Sequence, residues 1–360
     1  MTRRGLFSAF STGCLTLALE GQTVPKKTGA RLPSKVGEFV AYLDPATENI
    51  VVRLTDPAHT SHVPAAQNRH VARRSQLLLL SNDRHGALAP FSLDLRTGTL
   101  RQLAETKALK PDTLLFDSTD KSCLFIDGDL LIQVSLERGK AKTLAEGVDD
   151  FHMPGSRDEI VVMQKQKLAR LESGRLVTLA EDAGSRGIVS PSGNACCFMR
   201  ETSDADCSLN FVPLDGGSAK ELARGKISCP TWNPDGYSVV FLRETISRES
   251  PVTELWEAAL DGSGARLVTP TSRFATFSMN GNGSVFVGAS RSKAQPHVIL
   301  SLRAVRREMT LCEHKSSRPE LVRPVFSANS QRVYFESDRH GKPALYTISV
   351  SQLVEATPAS

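Results

Sequence analysis

Long apolar runs are nearly missing from this 360-residue sequence; beyond residue 22 none is long and apolar enough to cross a bilayer as a helix. Basic runs interleaved with aromatics are missing as well. The 44 Lys and Arg exceed the 39 Asp and Glu by only five charges and are scattered, so nothing reads as a nucleic-acid footprint. The sequence has no P-loop, no GxGxxG, no GxSxG, no HExxH and no HxH. A phosphate cradle, a dinucleotide turn, a hydrolase elbow and a helical zinc site are therefore all without a signal. Its seven cysteines form no CxxC and no disulfide-framework spacing. They read mainly as small buried apolar residues, with Cys196 or Cys197 and Cys207 the one local pair. Helical periodicity of useful length is absent beyond the first segment.

That first segment is unlike the rest. Arg3 and Arg4 precede a charge-free apolar stretch from Gly5 to Leu19. A charged region followed by a short apolar one is the order of a secretory signal, here of twin-arginine type. The expectation is an export signal over residues 1–22, a flexible mature amino terminus over 23–37, and a periplasmic or extracellular protein.

The remainder repeats. An apolar strand ending in a small or basic residue, a leucine and a turn recurs at Leu54, Leu103, Leu144, Leu179, Leu222, Leu267 and Leu311, with spacings of 49, 41, 35, 43, 45 and 44. Units of about forty residues have the period of a propeller blade. Within a unit, QLLLLSNDRHGALAPFSLDLRTGTLRQL reads as three strands broken at Asp83–Gly86 and Arg96–Gly98. A further turn rich in Gly, Asn and Asp precedes the second strand, as in NPDG and SMNGNG. The expected class is all-β: one seven-bladed β-propeller of four-stranded blades over residues 38–352, with a tail over 353–360. The last unit stops after three strands, and Asn49–Thr55 is expected to supply the fourth, closing the ring and removing its open edges. Asp-Arg-His-Gly occurs at 83–86 and again at 338–341. At that separation it reads as one turn of the first and seventh blades, with His85 and His340 architectural.

In a propeller the innermost strands line a central channel. Their apolar anchors align at Val71, Phe116, Val189, Trp232, Phe277 and Phe326. Three residues upstream, where one mouth opens, stand Asn68, Thr113, Arg186, Cys229, Phe274 and Arg323, with Asp149 or Asp150 for the third blade. Arginines so placed bind a carboxylate or phosphate through two parallel hydrogen bonds, or pair with the aspartates. No catalytic residue stands out. His59 and His62 fall in DPAHTSHVPAAQNRH, which reads as a polar surface loop.

These pieces, in this order, resemble the oligogalacturonate lyase family and, more distantly, TolB-type propellers. The resemblance is carried by VVRLTDPAHTSH, LLLLSNDRHGALAPFSLDLRTGTLRQL, SCPTWNPDGYSVVFLRE, CEHKSS and RPVFSANSQRVYFESDRHGKPALYTISV. It implies β-elimination of pectin-derived oligogalacturonides. In that chemistry a divalent cation, typically manganese, neutralises the uronate carboxylate and a base takes the neighbouring proton. It also implies metal ligands from a histidine in the penultimate blade and from a glutamine and two histidines leading into the last, with a histidine base one blade earlier. This chain has Phe274 at the first place, Arg318, Leu321 and Arg323 at the next three, and Cys229 at the base. Phe, Leu and Arg do not replace imidazole or amide on manganese. The expectation is a propeller of this type without a metal cofactor, binding an acidic oligosaccharide or another anion through Arg323, Arg186, Asn68, Cys229, Phe274 and Asp149. Two alternatives stand beside it: an active lyase using His314, His59 or His62, and a TolB-like module docking a protein partner.

Overall fold

A computed structural model describes residues 37–74, 76–184, 186–203, 206–247, 250–271 and 273–358. The expected export signal and all but the last residue of the expected flexible segment lie outside the described residues. Each of the seven repeat units is an antiparallel four-stranded sheet, and the sheets form a seven-bladed propeller. Among the described residues the only helical element is a 3-10 turn, Pro319–Leu321.

The first blade consists of Ser61–His62, Leu77–Asn82, Ala89–Asp94 and Leu100–Gln102. The second strand is buried along nearly its whole length, because a sheet sandwiched between two others has no solvent face. That explains why LLLL does not alternate as a half-exposed strand would. All six apolar anchors are at most 9% exposed. Between blades lie apolar layers such as that of Leu54, Val63, Leu78, Leu80, Tyr334 and Leu345, which joins the seventh blade to the first.

Closure follows the expected route. The seventh blade takes Val325–Phe326, Arg332–Ser337 and Ala344–Ser349 from the carboxy-terminal side and Ile50–Arg53 from the amino-terminal side. Val51 lies opposite Ile348 and Arg53 opposite Tyr346. A fifth strand, Val40–Leu43, which the repeat pattern does not contain, pairs outside Ile50–Arg53. Beyond the last strand the chain stays ordered: Gln331 Nε2 donates to Val354 O at 3.0 Å, and the Ser330 and Thr357 hydroxyls bond at 2.6 Å.

The repeated Asp-Arg-His-Gly is one turn used twice. Gly86 and Gly341 have φ of 107° and 134°, a region open to glycine and costly for other residues. Asp83 Oδ1 accepts the Thr60 N–H at 2.7 Å, and Asp338 Oδ1 accepts the Ser317 N–H at 2.9 Å. In both blades the aspartate ties the turn to the loop leading into that blade's innermost strand. His85 Nδ1 bonds Gln102 Oε1 at 2.6 Å and His340 Nδ1 bonds the Tyr346 hydroxyl at 2.9 Å. The cysteines among the described residues are all free thiols. Cys207 lies opposite Glu201, not opposite Cys196 or Cys197, and its thiol turns to the Gly225 and Ile227 carbonyls.

Closure by Ile50–Arg53 carries a direct test. Val51 is 0% exposed within the layer between the sixth and seventh blades. Deleting Asn49–Thr55 strips the Ala344–Ser349 strand of its outer partner and uncovers an apolar face. The truncated protein is expected to aggregate or fail to fold; a monomer with native circular dichroism on size exclusion contradicts this closure.

Candidate functional site at the channel mouth

A propeller's central channel is usually open; here a segment of the first blade crosses it. After Ser61–His62 the innermost strand leaves its sheet and returns at Val71, which bridges to Leu78. Pro64 has no N–H for a ladder, and the backbone of residues 63–70 finds partners across the channel instead. Val63 N–H donates to Glu336 Oε2 of the seventh blade at 3.0 Å. Ala65 N–H and Asn68 Nδ2 donate to the Asp112 carbonyl of the second blade at 3.2 and 2.9 Å. Gln67 Nε2 donates to Pro230 O of the fifth blade at 3.3 Å, and Gln67 O accepts from His152 Nε2 of the third at 3.2 Å. The histidine-rich stretch expected as a surface loop is therefore a plug, with Asn68 only 4% and His70 only 1% exposed. It turns the channel into a bowl with a floor.

Two arginines stand over this floor. Arg323 Nη1 and Nη2 donate to Asp112 Oδ1 and Oδ2 at 2.5 and 2.9 Å, and Nη1 donates also to Val63 O at 3.1 Å. Arg186 Nε and Nη2 donate to Asp150 Oδ2 and Oδ1, both at 2.9 Å, and Nη2 reaches the Asp112 carbonyl at 3.1 Å. Both are two-pronged guanidinium–carboxylate pairs. Burial pushes the Asp112 carboxyl up and the Arg323 guanidinium more than offsets it, so the group ends below the usual carboxylate range. Arg186 Nη1 and Arg323 Nε have no hydrogen-bond partner among the described residues.

Bulges bring these side chains together. In Leu109–Phe116 the pairing register shifts between Lys110 and Leu115. Thr113 Oγ1 holds the bulge by donating to Lys110 O at 2.7 Å and accepting the Ile126 N–H at 3.0 Å. The extra residues turn Asp112, not Thr113, into the mouth. Cys229 lies in a second bulge, between Ser228 and Thr231, at φ 52°, and Arg323 has φ 42°. Left-handed backbone at non-glycine residues is uncommon and collects at ligand sites.

A third pair sits beside them. His62 Nδ1 meets Glu336 Oε1 at 3.0 Å, and Glu336, 3% exposed, also receives the Val63 N–H. With Nδ1 donating to the carboxylate, the Nε2 lone pair has no partner among the described residues. The other expected histidines differ. His314 is fully buried, its Nε2 donating to Ser290 O at 3.0 Å and its Nδ1 accepting the Ser316 N–H at 3.0 Å. His59 lies 3.7 Å from Asp83 and away from the plug's contacts.

Of the residues expected at the mouth, Arg186, Arg323 and Asn68 meet there. Cys229 is half-buried beside the Ala275 carbonyl at 3.7 Å. Asp149 turns outward, its Oδ2 accepting the Lys165 N–H at 2.7 Å, and its neighbour Asp150 takes the inner place. Phe274 is fully buried between the fifth and sixth blades, against Gly288, where a Cβ would overlap its ring; it has no surface to offer a ligand. Asp112, Glu336 and the plug had no sequence signal beyond an aspartate one residue off register.

No protein-family model matches the chain, and no curated protein matches it. Solved structures do. An oligogalacturonate lyase in complex with manganese superposes with a TM-score of 0.78 at 20% identity, over 89% of this chain and 98% of that one. The oligogalacturonate lyase of Vibrio parahaemolyticus gives 0.77 at 18% identity, over 89% and 99%. A puromycin-hydrolyzing peptidase of Mycobacterium tuberculosis gives 0.61 at 13%, over 91% of this chain and 56% of that one. The fold is that of the oligogalacturonate lyases. The residues at the expected ligand places do not fit a divalent cation: Phe274 is buried in apolar packing and Arg323 brings a positive charge tied to Asp112. Among the described residues no group of three His, Cys, Asp or Glu is arranged to hold a metal.

Three buried histidines give the fold a pH dependence. Burial pushes His70, His152 and His314 each down to about 4. His152 uses both nitrogens, donating to Gln67 O and accepting the Val189 N–H at 3.1 Å, so protonation breaks a contact. In the unfolded chain these imidazoles take protons near pH 6.5. Between about pH 6.5 and 4 the unfolded state therefore binds more protons, and stability falls as pH falls, by up to about 1.4 kcal/mol per pH unit for each histidine. Urea unfolding at pH 7 and pH 5 is expected to show a clear loss of midpoint; an unchanged midpoint contradicts the neutral, buried assignment.

Proposed function

We propose that this chain recognises acidic oligosaccharides at the channel mouth without a divalent cation, and that it does so outside the cytoplasm, as its amino-terminal export-type segment suggests. The observation that carries the reading is the pair of guanidinium–carboxylate forks, Arg186–Asp150 and Arg323–Asp112, set over a closed floor. Each fork presents donors and acceptors in one plane. A sugar hydroxyl can donate to the carboxylate while a neighbouring oxygen accepts a remaining guanidinium N–H. The likeness to oligogalacturonate lyases supports uronate sugars as the ligand class. A protein-docking mouth is less well supported, because such surfaces are anchored by exposed aromatics and the one aromatic of this ring, Phe274, is buried.

One observation favours a second reading, retained acid–base chemistry. His62, oriented by Glu336, has the form of a general base, and its chain neighbour Val63 accepts from Arg323 Nη1 at 3.1 Å. Its readout is formation of unsaturated product from oligogalacturonide in the presence of EDTA, lost in His62→Gln.

Calorimetry with oligogalacturonide and the full chain tests the main reading. Binding is expected with the same affinity in manganese and in EDTA. Arg323→Ala is expected to weaken it about 10–100-fold, the 1.5–3 kcal/mol of a charge-assisted contact, with the unfolding midpoint as a control for folding. Binding that requires manganese, or no binding in either condition, contradicts it.

A further inference from the structure

On the same face as the mouth, a cleft of about 920 Å³ opens between the sixth and seventh blades. Its walls are the segments that follow Val285–Ser290 and Arg307–Glu313. His314 pins the two walls together, bonding Ser290 O on one and the Ser316 N–H on the other. The cleft is therefore preformed.

Its lining carries more positive than negative charge. Four cations line it: Arg291, Lys293, Lys315 and Arg339. The two carboxylates there are already engaged, Glu313 with Lys315 at 2.7 Å and Asp338 with the Ser317 N–H at 2.9 Å. Arg339 is held in place, donating to Glu313 O at 2.8 Å and lying over the Tyr42 ring at 5.0 Å. Arg291 and Lys293 are exposed, and their side chains make no hydrogen bond or ion pair with the described residues. The cavity between the fifth and sixth blades, about 640 Å³, offers a contrast. Both its arginines, Arg266 and Arg303, are spent on the buried Glu257, at 2.7 and 2.9 Å, and it carries Asp235 and Asp261 besides. That cavity is not built for an anion; the cleft is.

The cleft adjoins the mouth. Pro319 lines the cleft and opens the 3-10 turn Pro319–Leu321, which runs on to Arg323 at the mouth, and the Arg291 N–H donates to Arg273 O at 2.8 Å, next to the start of the sixth blade's innermost strand, Phe274–Met279. At the mouth itself each arginine is matched by an aspartate, and the unmatched positive charge begins at Arg291.

We propose that mouth and cleft form one track for an oligomeric polyanion: a uronate sugar lies in the mouth, and the carboxylates of the following sugars are met by Arg291 and Lys293. The proposal rests on the mouth being an acidic-sugar site, and it adds the cleft as a second binding stretch for the sugars beyond the one in the mouth. The forks of the mouth read hydroxyls, and the open cations of the cleft read charge. Because those cations are exposed, their contribution is screened by salt.

The test compares galacturonic acid with tetragalacturonate on the full-length protein, by calorimetry in EDTA at low and high salt. The tetramer is expected to bind at least tenfold more tightly at low salt, with the advantage shrinking at high salt. In the double variant Arg291→Gln, Lys293→Gln the advantage is expected to disappear while the affinity for the monomer stays within about twofold. Equal affinity for both lengths, or an advantage that survives the double variant, overturns the track and leaves the mouth reading standing. No binding of either length overturns both. A sulfated neutral oligosaccharide of the same length that binds as tightly as the tetramer, and is equally sensitive to the variant, overturns the assignment to uronates.

Discussion

Asp112 holds the mouth together. Its carbonyl accepts from the plug backbone at Ala65, from Asn68 and from Arg186, and its carboxylate takes both prongs of Arg323. The fourth and seventh blades and the plug thus converge on one residue of the second. The bulge that presents it inserts residues between Lys110 and Leu115 and is tied by Thr113. Without Asp112, Arg323 and the plug would lose their common partner, and groups only partly exposed to water would be left unpaired. The plug in turn depends on His152, whose fixed tautomer joins Gln67 of the plug to Val189 of the fourth blade.

This arrangement divides labour by charge. Within the bowl, positive groups are balanced one for one, so a ligand there is read by the direction of its hydrogen bonds. Outside it, along the sixth and seventh blades, the balance is broken at Arg291 and Lys293. Where the resembling lyases are expected to place metal ligands, this chain places a guanidinium locked to a carboxylate. A positive group therefore remains near a bound uronate, but as a fixed fork whose geometry is set by Asp112.

The architecture was legible in the sequence because propeller blades repeat. The leucine-and-turn period, the glycine turns and the missing last strand gave blade number, turn positions and the closure by Ile50–Arg53. The paired Asp-Arg-His-Gly turns were also readable, since each aspartate does the same work at the same place in its blade. What was not legible is what breaks the repeat. The fifth strand Val40–Leu43 has no counterpart in other blades. The plug looked polar and exposed because its histidines and asparagine bond to groups far away in the chain. Asp112 was missed by one residue, since residues inserted at the Lys110–Leu115 bulge exchange the faces of a strand; of the two aspartates expected for the third blade, Asp150 takes the inner place. Phe274, counted as a mouth aromatic, is drawn into the core by the space above Gly288.

The central claim is that these guanidinium–carboxylate forks, with no metal, hold an acidic sugar. A crystal structure of the full chain with trigalacturonate, grown in EDTA, tests it most directly. The account predicts a sugar lying over the plug, with its oxygens on Arg186, Asp150, Arg323 and Asp112. Sugar bound elsewhere on the propeller, with the mouth holding only water, would contradict it.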